Sequence, residues 1–525
     1  MSRLFLDYCA GAKAVRPFFA SLPAISSAEN DGRTRPPLPA HWPELVELLR
    51  KQNPSPAAAA TLQTLAQGAG VVVTGQQVGL FGGPLYTPLK AATAVAQARK
   101  ATAAGRPHAA IFWLATEDHD FAEIAQVTFP ARRELRTLKY ANAPAAQRPV
   151  GGVVLDESIT PLIEQAWELL GSSEGMEALA EAYRPGHTFA QAFADFYAKV
   201  FAAQGLLMLD ASSRAFHRMG APVLRAALER ADELHAALLE RNRELVAAGY
   251  HAQVAVGEQS SLLFLIDEQS GSRLALKRTA PTAAEPGGLW QAGRLSLSTE
   301  DLVGILEAEP ERISPSALLR PVFQDLLLST SATVGGPAEI AYFAQSAVLF
   351  ERILGRVTPA LPRFSATLIE PAIGELLHKH DLPLEQVLAL DASSLAKFLA
   401  NRAMPSEGRE RLASAGAALE AELEPLLAWM RSMDAGLGRS AQTSASKMRY
   451  QMNRLRNLAA NFQLQQEGAL GRQAETLSRS LAPHGGLQER LHGAAYYLAR
   501  YGFELAEKLS ILAGDSEPGH RVVSL

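Results

Sequence analysis

The sequence predicts an α/β protein with a parallel, doubly covered sheet at its core and a long helical hairpin near its C-terminus. Three observations carry that expectation. Short continuous apolar runs at 71–73, 109–115 and 205–210 are separated by helix-like stretches, the pattern of strands buried on both faces. The first two runs end in loops rich in glycine or acidic residues, where open α/β sheets hold ligands. Beyond residue 405, apolar side chains recur at alternating four- and three-residue steps, which buries one stripe per helix.

Taken in order, residues 1–65 form helical pieces around a polar, proline-bearing loop from Ser26 to Pro39, with a second break from Asn53 to Pro56. The α/β core spans 66–370. Mixed or alternating runs at His251–Val256, Leu262–Ile266 and Arg273–Lys277 predict an antiparallel insertion turning near Gly271. A helical domain covers 371–486. Its seam runs through Leu412, Leu419, Leu423, Leu426, Met430, Met433 and Leu437, and resumes after Gly436 and Gly438 at Met448, Met452, Leu455, Ala459 and Phe462. Pro483 with Gly485 and Gly486 ends the second helix, and Leu487–Leu512 predicts one further helix in a C-terminal segment, 487–525, returning to the core.

Composition narrows the function. The 525 residues, 48% of them hydrophobic, are enough for two or three domains. Lys and Arg number 50 against 54 Asp and Glu, a formal charge of −4, which lacks the basic footprint of a nucleic-acid binder. Cys9 is the sole cysteine, so no intramolecular disulfide or all-cysteine metal site can form. Residues 1–19 carry scattered charge with no apolar core of a signal peptide, and no apolar stretch reaches membrane length. The expected location is the cytoplasm, with neither nucleic acid nor membrane as partner.

Chemistry concentrates in three segments. Thr74-Gly75-Gln76-Gln77, continuing to Gly82-Gly83-Pro84-Leu85-Tyr86 and Lys90, lies between a strand and a helix, where backbone amides favour anions and Gln76, Gln77, Tyr86 and Lys90 add side-chain contacts. Glu117-Asp118-His119-Asp120 follows the second strand; three acids around one histidine raise its basicity, orient its ring, or build a metal or magnesium-phosphate site. No second histidine or cysteine is spaced to complete a transition-metal site, and none is assigned. The third segment pairs Ser314-Pro315 and Arg320-Pro321 through Gln324 with Gly335-Gly336-Pro337, Glu339 and Tyr342, a second strand-loop-helix device that closes the pocket from the other side.

These motifs, with Leu487-Gln488-Glu489-Arg490, resemble in order and over most of the chain the bacillithiol-synthesis cysteine-adding family, the cysteine ligases called BshC. The resemblance implies a Rossmann-like core of the nucleotidylyltransferase type with connecting elements, and a coiled-coil domain through which subunits form a homodimer. It implies the last step of bacillithiol assembly, joining L-cysteine to the amine of glucosaminyl malate. ATP, with magnesium, is the expected activator of the carboxylate. On this reading Gly75, Gly82, Gly83, Gly335, Gly336 and Lys90 line the nucleotide pocket. His119 is the base, with Asp118 or Asp120 orienting it. Arg320 takes a malate carboxylate, while Gln76, Gln77, Tyr86, Glu117, Gln324, Glu339 and Tyr342 contact substrate. Another ATP-dependent amide ligase or adenylyltransferase acting on a sugar conjugate, and a non-catalytic coiled-coil scaffold, are the alternatives.

Overall fold

The computed structural model describes residues 2–20, 38–144, 147–279, 288–515 and 517–525, so the expected loop from Ser26 to Pro39 lies almost wholly outside the described residues. The chain divides into two compact units, the first comprising Met1–Phe129, Arg136–Ala366 and His492–Arg521, the second Pro130–Leu135, Thr367–Leu491 and Val522–Leu525.

In the first unit five parallel strands form one sheet. In chain order they are Gly70–Gln76, His108–Leu114, Leu207–Asp210, Ala332–Gly335 and Ala360–Pro362. Across the sheet the order is fifth, fourth, first, second, third. Read from the other edge this is the 3-2-1-4-5 order of a doubly wound fold, whose direction of winding reverses between the first and fourth strands. Both faces are covered, as the unbroken apolar runs require. Val71, Val73, Ile111, Trp113, Leu207 and Leu209 enter one buried cluster, while Phe112 lies 6.0 Å from Tyr197, stacked, on the other face. Each such side chain stabilises the fold by about 1.5–3 kcal/mol on full burial.

The open edge of the third strand is closed by amide side chains. Gln52 and Asn53, at the end of the helix Trp42–Gln52, pair with the backbone of Asp210 and Met208 at 2.7–3.0 Å. They imitate a sixth strand and block edge-to-edge pairing. The helix after the first strand, Tyr86–Ala103, is buried almost all round because alanines at 91, 92, 94, 96 and 98 leave room for close neighbours. That burial encloses its one early cation, Lys90, at 3% exposure.

A second, antiparallel sheet contains Ser260–Ile266 and Arg273–Arg278, with Gly271 in the left-handed region (φ +68°) at the turn. The expected strand at His251–Val256 is irregular. Its in-and-out alternation is real, but Val254 exchanges both backbone hydrogen bonds, at 2.9 Å, with the buried amide of Gln345, so no neighbouring strand is recruited. The single helix expected at Leu487–Leu512 is three: Gln488–Leu491, Ala494–Tyr501 and Glu504–Asp515. Gly493 caps the second of these and Gly502 (φ +67°) ends it, each breaking a run that side-chain periodicity alone leaves continuous.

The second unit is helical. Helices Ser406–Met433 and Ala435–Gln466 form the expected antiparallel hairpin, but its turn is set by Asp434 rather than by Gly436 and Gly438. The Asp434 carboxylate accepts from the amides of Gly436 and Leu437 at 2.7 and 2.9 Å, an N-cap worth about 1 kcal/mol. Gly438 instead allows close approach, since a Cβ there would meet the Arg431 backbone at 3.0 Å. The second helix stops at Gln466, and Gly468–Leu481 is a separate helix before Pro483. The expected single seam also divides. Leu423, Leu427 and Ala445 pack within the hairpin, with Leu419 and Ala441 against them. Leu426, Met433, Met448, Leu455 and Phe462 face solvent together with Trp429, Tyr450 and Leu458.

Candidate active site at the carboxyl edge of the parallel sheet

The first strand ends at Gln76 and the fourth at Gly335, so the loops that follow them flank the point where the winding reverses. Lys90 Nζ sits there. It donates to the Gly75 carbonyl at 2.8 Å and to Gln76 Oε1 at 2.9 Å, and forms an ion pair with Glu339. Burial pulls the Lys90 pKa down; Glu339 opposes that shift, while Arg363 and Arg320 add to it. Gln76 Nε2 donates to the Tyr86 hydroxyl at 3.1 Å. Arg320 Nη2 donates to the Tyr342 hydroxyl at 2.8 Å, and Nη1 to Gln324 Oε1 at 3.4 Å. Burial pushes the Tyr342 hydroxyl up to about 12, with Arg320 acting against it. Gln324, 1% exposed, braces the guanidinium from beneath.

The loop after the second strand joins this group directly. Gln77 Nε2 donates to Asp118 Oδ2 at 2.6 Å and to Glu123 Oε2 at 2.9 Å. Asp118 Oδ1 accepts from the His119 amide at 2.7 Å and lies 3.7 Å from His119 Nδ1. Gln77 and His119 thus share one edge of the sheet, as adjacent parallel strands require. Asp120 does something else. It is exposed and caps the turn Phe121–Ile124 by accepting from the Glu123 amide at 3.2 Å, so Asp118 is the acid beside the imidazole. Glu117 turns inward, 2.9 Å from Nε2 of the fully buried His217. Burial opposes charge on His217, yet Glu117 and the carbonyls of Ile313 and Pro310 outweigh it and its pKa rises.

The glycines depart from the sequence expectation. Gly82 (φ +81°) and Gly83 (φ +67°) adopt backbone angles that other residues avoid, and Phe81 itself lies at φ 50°, its ring packed edge-to-face on Tyr183 with centroids 5.2 Å apart. The Gly82 amide donates to the Tyr183 hydroxyl at 2.9 Å and the Gly83 amide to Leu80 O at 3.0 Å; the Gly82 carbonyl accepts from Tyr197 at 2.7 Å. The Gly336 amide donates to Glu339 Oε2 at 2.8 Å in a helix cap. At Gly75 a Cβ would meet Trp113 O at 2.8 Å, and at Gly335 the Glu339 and Phe343 side chains at 3.0 Å, so these two serve close packing. Gly82, Gly83 and Gly336 therefore offer no amide to a phosphate, and this glycine set does not fit a nucleotide cradle. The positive charge at the site comes from side chains.

Two cations escaped the sequence reading. Arg363 follows the fifth strand, too short at Ala360–Pro362 to announce itself, and places its guanidinium 5.4 Å from the Tyr86 ring centroid. Arg273 begins a strand of the antiparallel sheet and is 8% exposed. The signal available was an arginine opening an otherwise strand-like run, which is ordinary on an exposed face and gives no hint of burial.

Fold and site together define a Rossmann-type α/β domain whose cationic and acidic side chains converge at the switch point of the sheet. Residues 1–364 match the family described as "Bacillithiol biosynthesis BshC, N-terminal Rossmann-like domain", and residues 366–525 match "Bacillithiol biosynthesis BshC, C-terminal coiled-coil domain". The relatives that carry the name "Putative cysteine ligase BshC" include three that align over most of their length. That of Koribacter versatilis is 41% identical, covering 99% of this chain and 97% of its own. That of Solibacter usitatus is 36% identical over 89% and 86%, and that of Salinibacter ruber 30% identical over 99% and 96%. The chain belongs to the BshC family. Among its described residues no helix is long and apolar enough to cross a membrane.

Proposed function

We propose that this protein is a cytoplasmic ligase that joins the carboxyl carbon of L-cysteine to the amine of glucosaminyl malate, completing bacillithiol. The observation that carries the reading is the gathering of Lys90–Glu339, Arg320–Tyr342 and Asp118–His119 at one sheet edge, in a chain whose relatives are named cysteine ligases. Glucosaminyl malate is an anion with a nucleophilic nitrogen, so its site needs fixed cations for carboxylates beside polar groups for the amine. Arg320, whose planar fork suits a carboxylate, takes one malate carboxyl group. Lys90, desolvated and braced at three contacts, adds a fixed positive charge that strengthens as water leaves. Gln76 and Tyr86, tied to each other, orient the sugar conjugate beside it.

An amide forms from a free carboxylate only after activation, and ATP with magnesium is the activator we propose. The glycines of the two loops are given no part in holding it. Two copies of the chain pair through the apolar faces that the long helices leave open at Leu426, Trp429, Met433 and Phe462, a contact of coiled-coil type.

Cells lacking the protein are expected to accumulate glucosaminyl malate and lose the cysteine-bearing thiol, both measured by mass spectrometry. Purified Arg320→Ala should raise KM for glucosaminyl malate more than it lowers kcat, because a carboxylate contact is lost away from the reacting atoms. Normal thiol with no precursor build-up, in an organism without a second copy, overturns the assignment and favours ligation of a different sugar conjugate.

A further inference from the structure

The antiparallel sheet delivers a buried guanidinium to the histidine loop. Arg273 Nε donates to Ser314 Oγ at 3.0 Å, Nη2 donates to the Pro315 carbonyl at 2.9 Å, and the guanidinium carbon lies 3.8 Å from the Phe264 ring centroid. Ser314 is itself fully buried. With one edge and one face of the planar group so engaged, Nη1 is directed at His119 Nδ1, 3.4 Å away. Ser314-Pro315, which the sequence places in the pocket-closing segment, thus holds Arg273 in place.

The chemistry of the contact has one sense. A guanidinium in a protein only donates, so a neutral His119 must present the lone pair of Nδ1 to Arg273 and carry its proton on Nε2. Asp118 Oδ1, 3.7 Å from the same Nδ1, already accepts from the His119 amide and is the remaining charged group beside the ring; Phe264 packs at 5.9 Å between centroids. Nε2 has no hydrogen-bond partner among the described residues. The nitrogen available to a reactant is therefore the one that bears hydrogen.

We propose that Arg273, held by Ser314 and Pro315, is a positioning residue that locks neutral His119 in its Nε2–H tautomer, so that His119 acts on the reactant as a hydrogen-bond donor and not as the base. This rests on the ligase reading for its consequence: as the amine adds to the activated cysteinyl carbon, the new C–N bond pushes the carbonyl electron pair onto the oxygen that His119 serves. The pair returns as the bond to the phosphate or adenylate leaving group breaks, and the amine's proton passes to water. No bond to hydrogen breaks at His119 in this role; it stabilises the developing oxyanion as a backbone amide would.

The test has a structural arm and a kinetic arm, so that the tautomer can be judged whatever the substrate proves to be. In the full-length protein labelled with nitrogen-15 histidine, and with His119→Gln used to assign the resonance, the ring above its titration should show protonated Nε2 and unprotonated Nδ1. Arg273→Met should return the ring toward a mixture of tautomers, and Ser314→Ala, which keeps the guanidinium but loosens it, should do so partly. A wild-type ring protonated on Nδ1 overturns the proposal, even if Arg273→Met fails to fold. In the ligation assay the amide of glutamine can stand where Nε2–H stands, whereas the shorter asparagine amide cannot. His119→Gln should keep activity within about tenfold, and His119→Asn should lose on the order of 10²–10³ in kcat, the range typical of removing one oxyanion donor. Arg273→Met should lower kcat with little change in KM. Equal losses in His119→Gln and His119→Asn, with the Nε2–H tautomer present, would remove the donor role. A wild-type enzyme inactive on cysteine and glucosaminyl malate would strike the ligase reading and leave the tautomer assignment to the spectra.

Discussion

Replacing Glu339 by Gln isolates what the buried ion pair contributes. Glutamine preserves volume and can still accept the Gly336 amide in the helix cap, so the change is chiefly the loss of one negative charge beside Lys90. Breaking one partner of a buried pair costs about 3–5 kcal/mol. Here the Glu339 side chain is 19% exposed and Lys90 keeps the Gly75 carbonyl and Gln76 Oε1, so a smaller loss, about 2–3 kcal/mol, is expected. That is on the order of 10² in the ratio of folded to unfolded protein. Lys90→Met with Glu339→Gln should recover part of the loss, since no uncompensated buried cation remains; a coupling of about 1–2 kcal/mol is expected. The pH dependence has a definite sign. Lys90 has a folded pKa below its unfolded value, so between the two the unfolded chain binds more protons and stability rises with pH. Without Glu339, which raises that pKa, the window opens further downward and the deficit of the Gln variant should shrink as pH rises toward the unfolded value of Lys90. The measurement is urea unfolding followed by tryptophan fluorescence in a Trp429→Phe background, which confines the signal to the first unit's tryptophans. Strictly additive single and double variants, or a deficit that does not move with pH, would refute the argument.

Two further outcomes follow from other parts of the structure. His217, whose folded pKa is raised, contributes stability that is fully present below its unfolded value near 6.5 and is lost as pH rises through the higher folded one; His217→Gln should flatten this slope, and an unchanged slope between about pH 5.5 and 8.5 places it elsewhere. Leu426→Asp with Phe462→Asp, at positions 46% and 61% exposed, should leave the hairpin helical by circular dichroism but halve the mass in light scattering, whereas an unchanged mass shows that the subunits pair by another surface.

Much of this was legible along the chain because the signals are local. Unbroken apolar runs marked the first three strands of the parallel sheet, since a strand covered on both faces has no polar side to show. Periodicity marked the hairpin, and polar residues after strand ends marked Gln76, Gln77, Asp118 and His119, which parallel pairing then carries to one edge. Periodicity could not tell which side of a helix meets a partner and which stays open, so Leu427 displaced Leu426 from the packed seam one residue away. Nor could it show that the glycine amides are consumed by tyrosines a hundred residues later in the chain. Where each polar group finds its partner was decided by tertiary structure alone. Arg273 reaches His119 across 154 residues of sequence, and Lys90 meets Glu339 only because the first and fourth strands are neighbours in the sheet. The physical reason is one of range: side-chain patterning records whether a residue is buried, which depends on its own element, whereas a hydrogen bond or ion pair depends on two residues that folding brings together from anywhere in the chain.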